Sequence, residues 1–231
     1  METVLVTGAN RGIGFEFARQ YAADGWQVLA ACRSPEKAHA LQRLAQDVKG
    51  RLHIVELDVT DARSVKRAAA EGDRGAIDIL INCAGVMGKP DQTTGSIDYE
   101  DFRQVLDVNV MGPARMTEAF AERVAQSSRR TIVTITSGMG SIADNTSGGY
   151  IPYRASKAAV NMVMRCAAID LARRRIICIV INPGWVKTDM GGAGATLTPE
   201  KSVTAMRRVF EKLGPKDSGK FYNHDGREYP W

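Results

Sequence analysis

Thr3-Val4-Leu5-Val6-Thr7-Gly8-Ala9-Asn10-Arg11-Gly12-Ile13-Gly14 is the stretch whose reading decides the fold. A short β-type run, Thr3–Val6, passes into spaced glycines, and a helical pattern over 12–23 follows at once. Glycines placed here allow a tight turn, let backbone approach a pyrophosphate, and permit close packing of helix on strand. The helix start behind them offers free N–H groups and the positive end of a dipole. Between the first strand and first helix of a βαβ unit, this pattern predicts a phosphate seat built from Gly8, Asn10, Arg11, Gly12, Ile13 and Gly14. A merely structural turn is the alternative.

Outward from that stretch, apolar β-type runs alternate with helical patterns. The expected strands are Thr3–Val6, Gln27–Ala31, Leu52–Leu57, Ile77–Ile81, Thr131–Ile135, Ile176–Ile181 and a short one at Lys220–Tyr222. Helices are expected over 12–23, 35–47, 61–71, 99–125, 153–173 and 199–213. The strand runs are nearly continuous in Val, Ile and Leu, as parallel strands buried on both faces require. The expectation is a single α/β domain over residues 1–231: a doubly wound, mostly parallel seven-stranded sheet with helices on both faces. Ligands of such sheets bind at the carboxyl ends of the strands.

Composition is that of an ordinary globular protein, 44% hydrophobic and 25% charged, and no apolar run is long enough for a membrane span. The start, Met1-Glu2-Thr3-Val4, lacks a basic and apolar leader pattern, so a cytoplasmic location is expected. The net charge of +5 raises nucleic acid as a partner. The basic residues, however, are scattered over helix faces without interleaved aromatics, which favours a solvated surface. Cys32, Cys83, Cys166 and Cys178 show no C-x-x-C spacing and lie in apolar stretches, so buried free thiols are expected, and no metal site.

The second strand ends Ala30-Ala31-Cys32-Arg33-Ser34, without the acid that accepts bonds from an adenine ribose. Arg33 and Arg11 can instead pair with a ribose 2′-phosphate. This favours NADP(H) over NAD(H), although either arginine could simply be solvated. Asp58 and Val59 follow the third strand, where Asp58 can accept from an adenine amino group and Thr60 or Asp61 can cap a helix. Asn82-Cys83-Ala84-Gly85 places small residues where a cofactor must pass close to backbone. Tyr153 and Lys157, four apart on a helix, share one face. A fixed cation there would bring the phenol's pKa down toward neutrality.

With these elements in order, the chain resembles the short-chain dehydrogenase/reductase family over essentially its whole length. The family's glycine pattern matches Thr7, Gly8, Gly12 and Gly14. Its Asn-Asn-Ala-Gly motif stands as Asn82-Cys83-Ala84-Gly85, where Cys83 departs and removes a strand-bracing side chain. The catalytic set matches Asn109, Ser137, Tyr153 and Lys157, and the turn after the sixth strand matches Pro183, Gly184, Val186 and Thr188. A narrower resemblance, to the C-factor/sniffer branch, rests on Asn182–Met190, on 144–149, and on Asn223-His224-Asp225-Gly226 with the residues up to Trp231.

The resemblance implies a Rossmann-type fold and hydride transfer between a nicotinamide and a small-molecule carbonyl or alcohol. Tyr153 would be the general acid or base, and Lys157 would tune it and hold the nicotinamide ribose. Ser137 would meet the carbonyl oxygen, Asn109 would hold a water, and Thr188 and Val186 would fix the nicotinamide amide. A cofactor-binding sensor without turnover is the competing class. A hydrolase is disfavoured, because no serine sits in a G-x-S-x-G elbow. The apolar helices 99–125 and 153–173 suit either a core position or a homo-oligomer interface. The Gly-rich 190–198 stretch, inside a substrate loop of about 188–200, suits a lid or a plain surface loop.

Overall fold

A computed structural model describes residues 1–70 and 75–231. In chain order its elements are β1 (Thr3–Thr7), α1 (Gly12–Ala23), β2 (Gln27–Cys32), α2 (His39–Asp47), β3 (Leu52–Glu56), α3 (Ala62–Ala70) and β4 (Ile79–Asn82). They continue with α4 (Tyr99–Leu106), α5 (Gly112–Ala125), β5 (Thr131–Ile135), α6 (Ile151–Asp170), β6 (Ile177–Asn182), α7 (Pro199–Phe210) and β7 (Phe221–Asn223). The seven strands form one sheet in the order β3-β2-β1-β4-β5-β6-β7. Every pairing is parallel, from Val28↔Leu52 at one side to Val180↔Phe221 at the other.

The chain winds outward from β1 to β3, then crosses back to β4 and winds the other way. The switch therefore lies between β1 and β4, where adjacent strands lead into loops that separate and leave a crevice. Alternation along each strand serves two cores. Val4 and Val6 face Phe17, Leu41 and Phe210 under α1, α2 and α7. Leu5 and Leu80 face Met116, Phe120, Val160 and Met164 under α5 and α6. Phe17 and Phe120 are both fully buried, each stabilising the fold by roughly 1.5–3 kcal/mol.

Several boundaries differ from the sequence expectation. The stretch 35–47 divides into a single turn at Pro35–Lys37 and α2, because Pro35 starts the turn but Ala38 leaves helical geometry. Residue 71, the expected last residue of α3, lies outside the described residues. The expected helix 99–125 is two helices joined by a π-helical turn, Asp107–Met111, which swings Asn109 inward. The expected 153–173 helix runs Ile151–Asp170, with Pro152 in its first turn, and a separate turn at Ala172–Arg174 follows. Asp61 caps α3, its Oδ1 accepting from the Arg63 N–H at 2.8 Å.

One burial expectation is corrected. All four cysteines are free, but only Cys32 and Cys178 are buried; Cys83 is half-buried and Cys166 exposed. The outer face of α6 is not covered, for Met162 and Ile169 stay 64% and 63% exposed beside Cys166. Positions 162, 166 and 169 repeat at helical spacing and so form one stripe. Among the described residues, no helix is long and apolar enough to cross a membrane.

Candidate active site

A cleft of about 1340 Å³ opens at the carboxyl ends of β1, β4, β5 and β6. Its near wall is the glycine loop. Gly8 adopts φ +67° and lies against the β4 loop, where a Cβ would come within 2.9 Å of Ala84 Cα; a Cβ on Gly14 would meet Gly8 O at 2.3 Å. Both positions are therefore closed to any side chain. Thr7 Oγ1 accepts from the N–H groups of Cys83 and Ala84 at 2.9 and 3.0 Å, locking the two sides of the switch together. Both bonds use backbone N–H groups and so do not depend on the side chain at position 83. Burial pushes the Cys83 thiol up to about 12, keeping it a neutral part of the wall.

At the end of β2, exposed Arg33 and Lys37 line the cleft together with Ser34. Lys37 was missed from sequence because the turn at Pro35–Lys37 brings it round beside Arg33. Asp58 and Val59 line the same end, and Asp58 Oδ1 accepts from the N–H and hydroxyl of Thr60 at 2.9 and 2.7 Å. Arg11 is exposed, and its Nη1 pairs with Asp189 Oδ2 across the cleft at 2.8 Å.

The far wall gathers the ionisable groups. Ser137 follows β5 and caps the turn Gly138–Gly140, its Oγ accepting from Met139 N–H at 3.1 Å. Tyr153 and Lys157 project from the first turns of α6 and are 7% and 6% exposed. Lys157 Nζ donates to Ile135 O at 3.0 Å and stands 5.6 Å from the Tyr153 ring centroid. Burial pushes Tyr153 up to about 12, opposed by a hydrogen bond with Ser137. Burial also pushes Lys157 down to about 8. Desolvation is the largest influence on both groups and favours their neutral forms.

Two of the sequence-chosen residues do not line the cleft. Asn82 is buried behind it, its Nδ2 donating to Thr134 Oγ1 at 3.2 Å and so tying β4 to β5. Asn109 is 1% exposed and is committed to the chain around it. Its Oδ1 accepts from Val86 N–H at 2.9 Å, and its Nδ2 donates to Val86 O and Ser156 Oγ at 2.8 and 3.0 Å. The other expected residues, from Gly8 to Thr188, do line it.

The order of these parts, from glycine loop through the β4 turn to Ser137, Tyr153 and Lys157, is matched by the pattern of the short chain dehydrogenase family over residues 2–196. The chain belongs to the short-chain dehydrogenase family. It is 43% identical to the C-signal protein of Myxococcus xanthus over 157 residues, 68% of this chain and 94% of that one. It superposes on the NADPH-bound carbonyl reductase from chicken fatty liver with a TM-score of 0.93 at 37% identity, covering 100% of this chain and 99% of that one. The carbonyl reductase Sniffer of D. melanogaster gives a TM-score of 0.93 at 30% identity, with 100% of both chains covered. The chain is thus an oxidoreductase of this family, on the C-factor/sniffer branch.

Met87, Met139, Tyr150, Trp185 and Met190 also line the cleft; of these, only Met190 falls in the substrate loop expected from the sequence. They lie in four separate loops or turns, so no local spacing relates them. The 190–198 stretch is tied down rather than loose. Trp185 Nε1 donates to Gly191 O at 2.8 Å, Gly191 N–H to Thr188 Oγ1 at 3.1 Å, and Lys187 N–H to Leu197 O at 2.8 Å. Met190 hangs from this turn with its sulfur 4.0 Å from the Tyr153 hydroxyl.

Proposed function

We propose that this protein is an NADP(H)-dependent carbonyl reductase in which Tyr153 gives a proton to the substrate oxygen as hydride arrives at the carbonyl carbon. The observation that carries this reading is the meeting of Ser137, Tyr153 and Lys157 on one wall of the cleft that begins at the glycine loop. The cofactor supplies the hydride. The chain's own groups do the rest. Ser137 donates to the oxygen where negative charge grows, and Tyr153, kept protonated by its burial, is in the right form to act as the acid. Buried Lys157 places positive charge beneath the phenol and within reach of a ribose hydroxyl. Asn109 holds the Val86 segment and Ser156 in place behind them.

The residues present fit a 2′-phosphorylated dinucleotide. Arg33 and Lys37 are exposed at the ribose end, and the glycine loop leads into the N-terminus of α1. The NADPH held by the chicken carbonyl reductase supports the same choice. The test is NADPH oxidation with a panel of aldehydes, diketones and quinones, run beside NADH. Tight NADPH binding without turnover on any of them would favour a sensor instead.

We also infer that the chain self-associates, a second copy covering the exposed stripe Met162, Cys166 and Ile169 on α6. Met111, just before α5, is a further exposed apolar side chain. Sedimentation at micromolar concentration should give a dimer or larger species, and Ile169→Glu should dissociate it; a monomeric wild type would end this inference. A cytoplasmic site of action is supported by the four free thiols.

A further inference from the structure

The stretch from Asn223 to Trp231, singled out in the sequence, has no task in the site described so far. It folds back on β7 as a hairpin. Tyr229 N–H donates to Phe221 O at 2.7 Å, Asn223 N–H donates to Arg227 O at 2.8 Å, and Tyr222 and Glu228 form an antiparallel bridge. One end grips the loop after Ser137. The Tyr229 hydroxyl donates to Asp144 Oδ2 at 2.7 Å, and Trp231 O accepts from Ala143 N–H at 2.9 Å and from Ser141 Oγ at 3.1 Å. The rings of Tyr229 and Trp231 stand 5.0 and 5.5 Å from that of Phe221. Gly138, next to Ser137, lies so close that a Cβ there would be 2.8 Å from the Tyr229 hydroxyl oxygen.

The other end grips the turn after β6. Asn182 Nδ2 donates to Asn223 Oδ1 at 2.9 Å, while Asn182 Oδ1 accepts from Gly184 N–H at 3.2 Å. The two segments held this way, Ser137–Met139 and Asn182–Val186, both line the cleft. A loop containing Gly138 and Gly140 has little stiffness of its own, and a donor aimed at a reacting oxygen must be held within about 0.5 Å.

We propose that the 221–231 hairpin is a positioning element for the reaction, with Tyr229 holding the Ser137 loop and Asn223 the Pro183-Gly184 turn on either side of the substrate carbonyl. This rests on the carbonyl-reductase reading. Tyr229 is not among the residues lining the cleft; it acts through Gly138 and Asp144.

The test compares Tyr229→Phe, Asp144→Ala, their double variant and Asp144→Asn. The substrate is para-nitrobenzaldehyde or, if that is not reduced, the best carbonyl of the panel. Each of the first two should lose roughly tenfold in kcat, as loss of a charge-assisted hydrogen bond implies, with KM for NADPH within about twofold. The double variant should be no worse than either single one, and Asp144→Asn, which keeps an acceptor oxygen, should recover most of the rate. Amide hydrogen exchange, run without substrate, should rise over 137–144 and stay unchanged over 8–14. Unchanged kcat in Tyr229→Phe, or a loss accompanied by faster exchange throughout the chain, would overturn the proposal. If the wild type reduces no carbonyl but exchange rises only over 137–144, the positioning stands and the reductase reading falls.

Discussion

On the β1–β2 side of the cleft, Arg11, Arg33 and Lys37 are solvent-exposed cations standing on a backbone frame. On the β5–α6 side, Tyr153 and Lys157 are almost fully buried, and their ionisation is displaced toward the neutral forms. Under the proposed function, one side would recognise charge with groups that stay hydrated until a ligand arrives, and the other would hold proton-transfer groups already desolvated. Exposed cations would then contribute selectivity, in modest and salt-sensitive amounts, while the buried pair would control rate in large amounts.

The largest effect should come from the buried side. Tyr153→Phe removes the transferable proton and little else, so kcat should fall by about 10²–10⁴-fold while NADPH affinity stays within about twofold. Single-turnover kinetics and a fluorescence titration would measure the two separately. Activity retained in this variant would take Tyr153 out of the proton's path.

Lys157 gives the next test, and its sign can be worked out. Its pKa lies near 8 in the folded protein against an ordinary 10.5. Between those values the native chain has released a proton that the unfolded chain still holds, so this group's contribution to stability rises with pH across that window. Below about 8 the buried ammonium destabilises the fold. Lys157→Met should therefore raise stability at pH 7 by about 1–3 kcal/mol, seen as a higher Tm, while abolishing turnover. In the wild type, reduction should be level up to about pH 8 and decline above it as the ammonium is lost. A decline that begins only near 12 would assign the profile to Tyr153 instead.

The two sides were also unequally legible in the sequence. Gly8, Gly12 and Gly14 announce themselves because local geometry forces their identity, and the doubly wound topology follows from continuous apolar strands. Ser137, Tyr153 and Lys157 were recognisable from their order along the chain. Their ionisation was not, since desolvation depends on everything packed around them. Lys37, Met139, Tyr150 and Trp185 were missed because their roles come from how separate loops meet. The π turn at Asp107–Met111 was missed for another reason: the apolar pattern of 99–125 continues through it, and only the demand of Val86 for the Asn109 amide distinguishes it from plain helix.

Smaller effects belong to the exposed side. Arg33→Ala should weaken NADPH by roughly 10-fold and NADH by less than about twofold, the size expected when one charge-assisted contact to the 2′-phosphate is lost. Equal losses would place the 2′-phosphate elsewhere, with Lys37→Ala the next variant to measure.

The smallest effect should come from the Arg11–Asp189 pair. It links the glycine loop to the turn after β6, and both side chains are mostly exposed, at 69% and 78%. A pair in that setting stabilises by only about 0–1 kcal/mol, so Asp189→Asn should leave Tm unchanged within error. It should nonetheless act on the cofactor, because it frees a guanidinium at the phosphate seat. NADPH should bind up to about fivefold more tightly at low salt, and the gain should shrink as ionic strength rises and the Debye length falls to about 8 Å. Weaker binding at every salt concentration would mean that Asp189 holds Arg11 in its working position, and that this exposed side is as preorganised as the buried one.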